Sequence, residues 1–263
     1  TQRAVMAVCL LMLAANVSAQ QGVSDGEWRH SNGDAGATRY AALDQITAAN
    51  AGDLRVAWEW AGANFGPTPE FKSETTPLMV DGVLYFSAGL RRDVIAINAG
   101  TGETLWIHRF DEGARGLAAP RRNSGRGVSY WTDGQGDERI FVITPGFHLI
   151  ALDAATGLPM PNFGNDGIVD MKRGFDQPVA LDEQNLGSSS PGMVFEDLII
   201  VGPAMAGSGR PASQVGVPSH ITAWDTRTGE RRWIFHTVPK PGEFGYDTWE
   251  NDSAQIGGNA GAW

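Results

Sequence analysis

The sequence predicts an all-β fold of the propeller kind. Three observations carry the prediction. Short β-rich runs are cut by Gly, Asp and Asn. No long stretch past Trp58 shows helical periodicity. One phrase occurs three times, at offsets of 55 and 72 residues, a scale that suits propeller blades with variable loops.

Composition sets the outer bounds. The chain has 263 residues, of which 42% are apolar and 19% charged, with 34 Gly, 14 Pro, 9 Trp and a single Cys. That excludes a disordered protein, a collagen and a coiled coil. Lys plus Arg is 20 and Asp plus Glu is 30, a net charge of -10 with no basic cluster, which argues against a nucleic-acid partner. The length suits one large all-β domain or two smaller ones.

The N-terminus reads as a targeting segment. Arg3 gives a positive start, Ala4 to Ala15 is apolar, and Val17-Ser18-Ala19 is a small-residue cleavage pattern. Residues 1–19 are therefore expected to be a secretory signal peptide, too short to span a bilayer. Cys9 leaves with it, so residues 20–263 hold no disulfide and no thiolate metal site. The expected compartment is the periplasm.

Strands are expected, in order, at Pro77–Val80, Gly82–Phe86, Asp93–Ile97, Arg139–Ile143, Phe147–Leu152, Asp197–Val201 and His220–Trp224. Val80-Asp81-Gly82 is a tight-hairpin signal, since Gly adopts positive φ at little cost. The recurring phrase is Ala96-Ile-Asn-Ala-Gly-Thr-Gly-Glu-Thr-Leu-Trp106. It returns as Ala151-Leu-Asp-Ala-Ala-Thr-Gly-Leu-Pro-Met160 and as Ala223-Trp-Asp-Thr-Arg-Thr-Gly-Glu-Arg-Arg-Trp233. Thr-Gly closes a hairpin, the Asp or Asn side chain bonds the turn backbone, and the Trp lies flat between neighbouring blades. This gives three blades and part of another ahead of Trp58. An open ring of so few blades exposes apolar faces, so the sequence is expected to be the N-terminal part of a parent about twice as long, given 4–8 blades per propeller.

These residues resemble the quinoprotein alcohol and glucose dehydrogenases that use pyrroloquinoline quinone (PQQ), from about Trp28 to Trp263. The repeat is similar to that family's tryptophan-docking motif. Leu43-Asp-Gln-Ile-Thr-Ala-Ala-Asn50 with Leu54-Arg-Val-Ala-Trp58 resembles its opening segment. Ser73-Glu-Thr-Thr-Pro-Leu78, Gly125-Arg-Gly-Val-Ser-Tyr130 and Phe235-His-Thr-Val-Pro-Lys-Pro-Gly-Glu-Phe-Gly245 resemble internal motifs. The resemblance implies an eight-bladed parent that oxidises a small alcohol or sugar hydroxyl and passes electrons to cytochrome c or a membrane quinone.

PQQ is a flat tricyclic ortho-quinone with three carboxylates. By the resemblance, Trp263 in Gly257-Gly-Asn-Ala-Gly-Ala-Trp263 is the floor beneath the quinone, with a further docking Trp as the alternative. Arg126 pairs with a cofactor carboxylate, a task that suits a planar, permanently charged guanidinium. Glu74 contacts the quinone, and Ser189 hydrogen-bonds the cofactor from a run of three serines. The general-base aspartate of the family is expected beyond Trp263. Pro120-Arg121 stands where methanol dehydrogenases carry a vicinal disulfide. Gly202-Pro-Ala-Met-Ala-Gly207 lacks the family's calcium-binding acid, so calcium is expected in the full-length protein with no ligand identifiable here.

The other motifs are read as structural. Gly207-Ser-Gly-Arg-Pro-Ala212 has no helix after it and is not a dinucleotide loop. The five histidines show no metal spacing, and His148 and His220 are expected to be packed in strands. Asp111-Glu112 and Arg121-Arg122 are read as solvated loops. The competing function is a non-enzymatic β-propeller scaffold of the bacterial envelope, which needs docking tryptophans but no polar groups gathered on a central channel.

Overall fold

In the computed structural model the described residues are 23, 26–62, 65, 70, 72–177, 179, 181, 186–205, 217 and 220–256. The expected signal peptide and Trp263 lie outside them.

Three four-stranded antiparallel sheets follow one another along the chain. The first joins β1 (Leu78–Val80), β2 (Val83–Ala88), β3 (Asp93–Asn98) and β4 (Thr104–His108). The second joins β5 (Ser129–Thr132), β6 (Glu138–Ile143), β7 (His148–Asp153) and β8 (Ile168–Asp170). A two-stranded pair, β9 (Leu186–Gly187) with β12 (Ala204–Met205), precedes and follows the inner part of the third. That third sheet joins β10 (Met193–Phe195), β11 (Leu198–Val201), β13 (Ile221–Asp225) and β14 (Arg231–Phe235). Within each four-stranded sheet every strand pairs with the previous strand of that sheet, as propeller blades require. All seven expected strands are present within one or two residues. The part-blade expected ahead of Trp58 is not a sheet: among the described residues there, pairing is limited to isolated bridges such as Trp28 with Met79. The hairpin at Asp81-Gly82 has φ of 47° and 79°, the primed turn that matches strand twist.

The strands alternate, and each face of the middle sheet is buried against a different neighbour. Ile140, Val142, Ile150 and Leu152 meet Leu78, Val80, Tyr85 and Val94 of the first sheet. Phe141, Ile143, Leu149 and Ala151 meet Ile199, Val201 and Trp224 of the third. A strand buried on both faces reads as a continuous apolar run, which is why Arg139–Ile143 was legible.

The turns of the recurring phrase form as expected. Asn98 Oδ1 accepts the Gly100 and Thr101 N–H groups, Asp153 Oδ1 that of Thr156, and Asp225 Oδ1 those of Arg227 and Thr228, all at 2.8–3.0 Å. Two indoles reach forward to the next Thr-Gly turn, whereas Trp233 of the third copy is 38% exposed and the expected burial between blades is not seen for it. Trp58 donates from Nε1 to Ala99 O at 3.0 Å and lies on Gly102. Trp106 donates to Ala154 O at 3.0 Å and lies on Gly157. The second copy carries Pro161 in place of Trp, and there Phe163 and Val169 close on Gly229 instead. Arg139 adds a polar tie, donating to the Thr226 and Arg227 carbonyls at 2.9 and 2.8 Å while paired with Asp137.

Glu112 corrects the reading of Asp111-Glu112 as a solvated loop. Its side chain is 3% exposed. It accepts from Thr144 Oγ1 at 2.5 Å, Gly146 N–H at 2.7 Å and His148 Nδ1 at 2.5 Å, so His148 is hydrogen-bonded as well as packed. Arg115, three residues on, grips Asp170 with two bonds of 2.7 and 2.9 Å. Burial alone raises the Glu112 carboxyl pKa, but the donors from His148, Thr144 and Gly146 outweigh it and hold it below the ordinary range. A depressed carboxylate contributes stability that is complete above its unfolded pKa and is lost as pH falls through the folded one. Glu112→Gln will therefore flatten the acid limb of a urea-unfolding series between about pH 5 and pH 3 relative to wild type. Parallel limbs for the two proteins would contradict this.

Candidate functional site

The inner strands and the loops leading into them bound a cavity of about 690 Å³. Its wall takes Arg29 and Arg39 from the N-terminal segment, Glu74 and Thr76 from the approach to β1, Arg126 and Tyr130 from the approach to β5 and β5 itself, and Ser188 and Ser190 from the approach to β10. Antiparallel alternation puts the starts of β1, β5 and β10 at one end of the molecule, together with the β2–β3 turn. Residues 74, 126 and 189 are far apart in sequence and meet because each precedes the first strand of its sheet.

Backbone bonds lock these approaches together. Thr76 N–H donates to Arg126 O at 3.2 Å, and Arg126 N–H donates to Ser189 O at 2.7 Å. Glu74 lies on the wall and forms an exposed ion pair with Lys72 at 3.2 Å. Arg126 is half-buried on the same wall. Ser189 contributes its carbonyl to Arg126 rather than a side chain to the wall, where its neighbours Ser188 and Ser190 stand. Pro120 and Arg121 lie against Gly187.

Two groups were not found from sequence. The first is Arg92, fully buried in the β2–β3 turn at 4% exposure. Its Nε donates to Asn123 O at 3.2 Å, Nη1 to Ile143 O at 2.7 Å and Ser188 O at 2.5 Å, and Nη2 to Arg121 O at 2.8 Å. One guanidinium thus fastens the loops that carry Arg126 and the serines. Burial pulls its pKa down to about 10, which still leaves it charged at neutral pH. Gly125 makes the approach possible: at φ 66° it sits where a Cβ would be 2.7 Å from Arg92 Nε. The Arg91-Arg92-Asp93 string looks like solvated charge, and nothing local distinguishes it.

The second is Tyr130. Its Oη is buried with no hydrogen-bond partner, and the Arg29 guanidinium lies 5.5 Å from its ring centroid. Burial pushes the phenol up to about 12, so it stays protonated and offers a donor. Tyr130 belongs to the cavity wall, but its hydroxyl oxygen has no accessible surface and does not open onto the cavity. The cavity size falls within the usual span of about 300–1,000 Å³ for small-molecule sites.

A family description, "PQQ: Glucose/ethanol/alcohol dehydrogenase, beta-propeller domain", matches residues 28–263. The glycerol dehydrogenase large subunit of Gluconobacter oxydans (strain 621H) is 29% identical over 249 residues, covering 91% of this chain and 32% of that protein. The quinohemoprotein alcohol dehydrogenase of Comamonas testosteroni is 32% identical over 215 residues, 81% of this chain and 26% of that one. The crystal structure of the latter superposes with a TM-score of 0.62 at 30% identity, covering 81% of this chain and 27% of that one. That of quinohemoprotein alcohol dehydrogenase ADHIIG from Pseudomonas putida HK5 superposes with a TM-score of 0.64 at 26% identity, covering 88% and 31%. The chain thus spans 32% or less of the length of these two curated relatives.

Proposed function

This chain belongs to the PQQ-dependent glucose/ethanol/alcohol dehydrogenase β-propeller family, and on that premise we propose that the whole protein is a periplasmic quinoprotein dehydrogenase acting on an alcohol or sugar hydroxyl. PQQ, when bound, supplies a quinone that accepts the hydride, and the protein supplies binding and orientation. The observation that carries the reading is the wall itself: three arginines, Arg29, Arg39 and Arg126, line one cavity. A tricarboxylate with carbonyl oxygens is complementary to that donor set.

In this reading the Arg126 guanidinium pairs with a cofactor carboxylate. Arg39 supplies positive potential near the rim, as does Arg29 to the extent that Glu27, 2.9 Å from its Nε, leaves its charge uncompensated. Glu74 stands at the rim beside Lys72. Trp263, as the floor, and Ser189, as a hydrogen-bonding side chain, remain part of the proposal. Calcium enters it for the full-length protein only. Around the cavity Glu74 is paired with Lys72, and Asp34 is held by Thr38 through N–H at 3.1 Å and Oγ1 at 2.5 Å, so the described residues assemble no calcium ligand set and no step is assigned to an ion. Electrons pass on to cytochrome c or a membrane quinone. A scaffold reading needs the docking indoles but gives no role to three arginines on an inner wall.

The test uses the full-length protein reconstituted with PQQ and Ca²⁺, with dye reduction followed across alcohols and aldoses. A cofactor-dependent signal with at least one substrate is expected; silence across the panel favours the scaffold. Arg126→Ala should weaken PQQ retention by roughly 30-fold, the equivalent of about 2 kcal/mol for a partly buried charge pair, with circular dichroism unchanged. Equal retention would remove Arg126 from the site.

A further inference from the structure

Outside the cavity, the fold brings together three side chains that no local spacing announces. His220 immediately precedes β13, His236 immediately follows β14, and Asp176 lies in the segment after Met171–Gly174. One ligand atom from each falls within 4.8 Å of the others. The starts of β13 and ends of β14 lie at the end of the sheet where the cavity opens, and Ile221, next to His220, is part of the cavity wall.

Two features point to a cation site. His220 is 3% exposed, and neither ring nitrogen has a hydrogen-bond partner. Buried polar atoms are rarely left this way, and an imidazole with both nitrogens idle is a ligand without its ion. His236 is held between two carboxylates, with Nδ1 at 2.6 Å from Glu243 Oε1 and Nε2 at 2.9 Å from Asp176 Oδ2. A ring with a single proton serves only one of them, so the other nitrogen faces an oxygen that needs a second proton or a metal between them. The Glu243 contact is the outer carboxylate that orients a metal-binding histidine and fixes its tautomer. Lys240 Nζ already occupies the cationic place, 2.5 Å from Asp176 Oδ2. Burial, then the neighbouring His236, pulls the His220 ring down to about 4, so it is neutral at physiological pH and free to donate a lone pair.

We propose that Asp176, His220 and His236 bind one first-row transition-metal ion, with Zn²⁺ the best match. Two imidazoles and a carboxylate suit zinc, whose sites with three protein ligands leave a fourth position for water. Binding displaces the Lys240 ammonium, whose side chain is 27% exposed and has a route to solvent. The ion ties the segment after β14 to the start of β13 and to the Asp176 segment. It braces the outer flank of the third sheet and shares no residue with the cavity wall. The sequence spacing of the histidines does not announce such a site, because strand pairing brings its ligands together.

Co²⁺ titration of the full-length, chelator-stripped protein tests this, with Ca²⁺ in excess to fill any oxygen-ligand site. One equivalent should give the intense visible band of four-coordinate, nitrogen-ligated cobalt, abolished by Zn²⁺. His220→Ala and Asp176→Asn should each weaken binding by about 100-fold or more, since even outer partners cost 10–100-fold. Lys240→Ala should tighten it. Asp176 and Lys240 are partly exposed, so those two variants report even if His220→Ala fails to fold. No cobalt band, a band unaltered in Asp176→Asn, or unchanged or weaker binding in Lys240→Ala would overturn the site and leave the group as an ion-pair network alone.

Discussion

Arg92→Met should lower the free energy of unfolding by about 3–5 kcal/mol, the range for breaking a buried charge network. Methionine keeps the length and apolar stem but leaves four carbonyls, the buried ones of Ile143 and Ser188 and the part-buried ones of Asn123 and Arg121, without that donor. Each orphaned acceptor has a desolvation cost of about 1–3 kcal/mol, reduced wherever a loop can turn to water. Arg92→Lys should recover little, since one ammonium cannot reproduce a fork that engages acceptors on three separate segments. Denaturant midpoints give the size of the loss. Faster amide exchange at Arg126, whose N–H is bonded to Ser189 O, would place it at the cavity rim. A loss under 1 kcal/mol, with exchange at Arg126 unaltered, would show that the loops hold themselves.

The second large effect is expected at the contact between Trp106 and Gly157. Gly157 has φ 70°, and a Cβ there would lie 2.4 Å from the indole. Gly157→Val combines a forbidden backbone region with a clash against a ring, and about 3 kcal/mol of destabilisation is expected from overpacking plus backbone strain. Trp106→Ala removes the same contact from the other side, together with the Nε1 bond to Ala154 O, at a similar cost of about 3 kcal/mol. In the double variant the costs should fall short of additive by about 1 kcal/mol or more, because the clash needs the ring. Strict additivity in thermal unfolding would separate the two residues.

What the sequence reveals depends on distance along the chain. The Thr-Gly turn is a local object: its Asn or Asp side chain bonds amides two or three residues away, so it announces itself in eleven residues. The apolar runs of β3, β6 and β7 are legible because they are buried on both faces. β10 and β14 are harder to read, since Met193, Phe195 and Phe235 sit exposed among alternating positions. The position of Glu74 and Arg126 on one wall followed from resemblance, whereas the Thr76–Arg126–Ser189 backbone chain that fixes them did not. Arg92 was illegible because its partners lie up to 96 residues away and are carbonyls, which every residue has. Glu112 was misread for a related reason: Gly146 and His148 are donors only once the β6–β7 turn is built.

The forward reach of the indoles gives the array a sense of direction. Trp58 leans on a turn 44 residues ahead of it, and Trp106 on one 51 ahead. The second sheet thus supplies a seat to Trp106 of the first and borrows one, for Phe163 and Val169, from the third. A unit cut from one Thr-Gly turn to the next carries one seat and one sitter, and so can be duplicated or removed without leaving either unmatched. Lengthening such a ring by copying is then a matter of repeating a self-consistent cassette, with variation confined to the loops at the end where the chemistry sits.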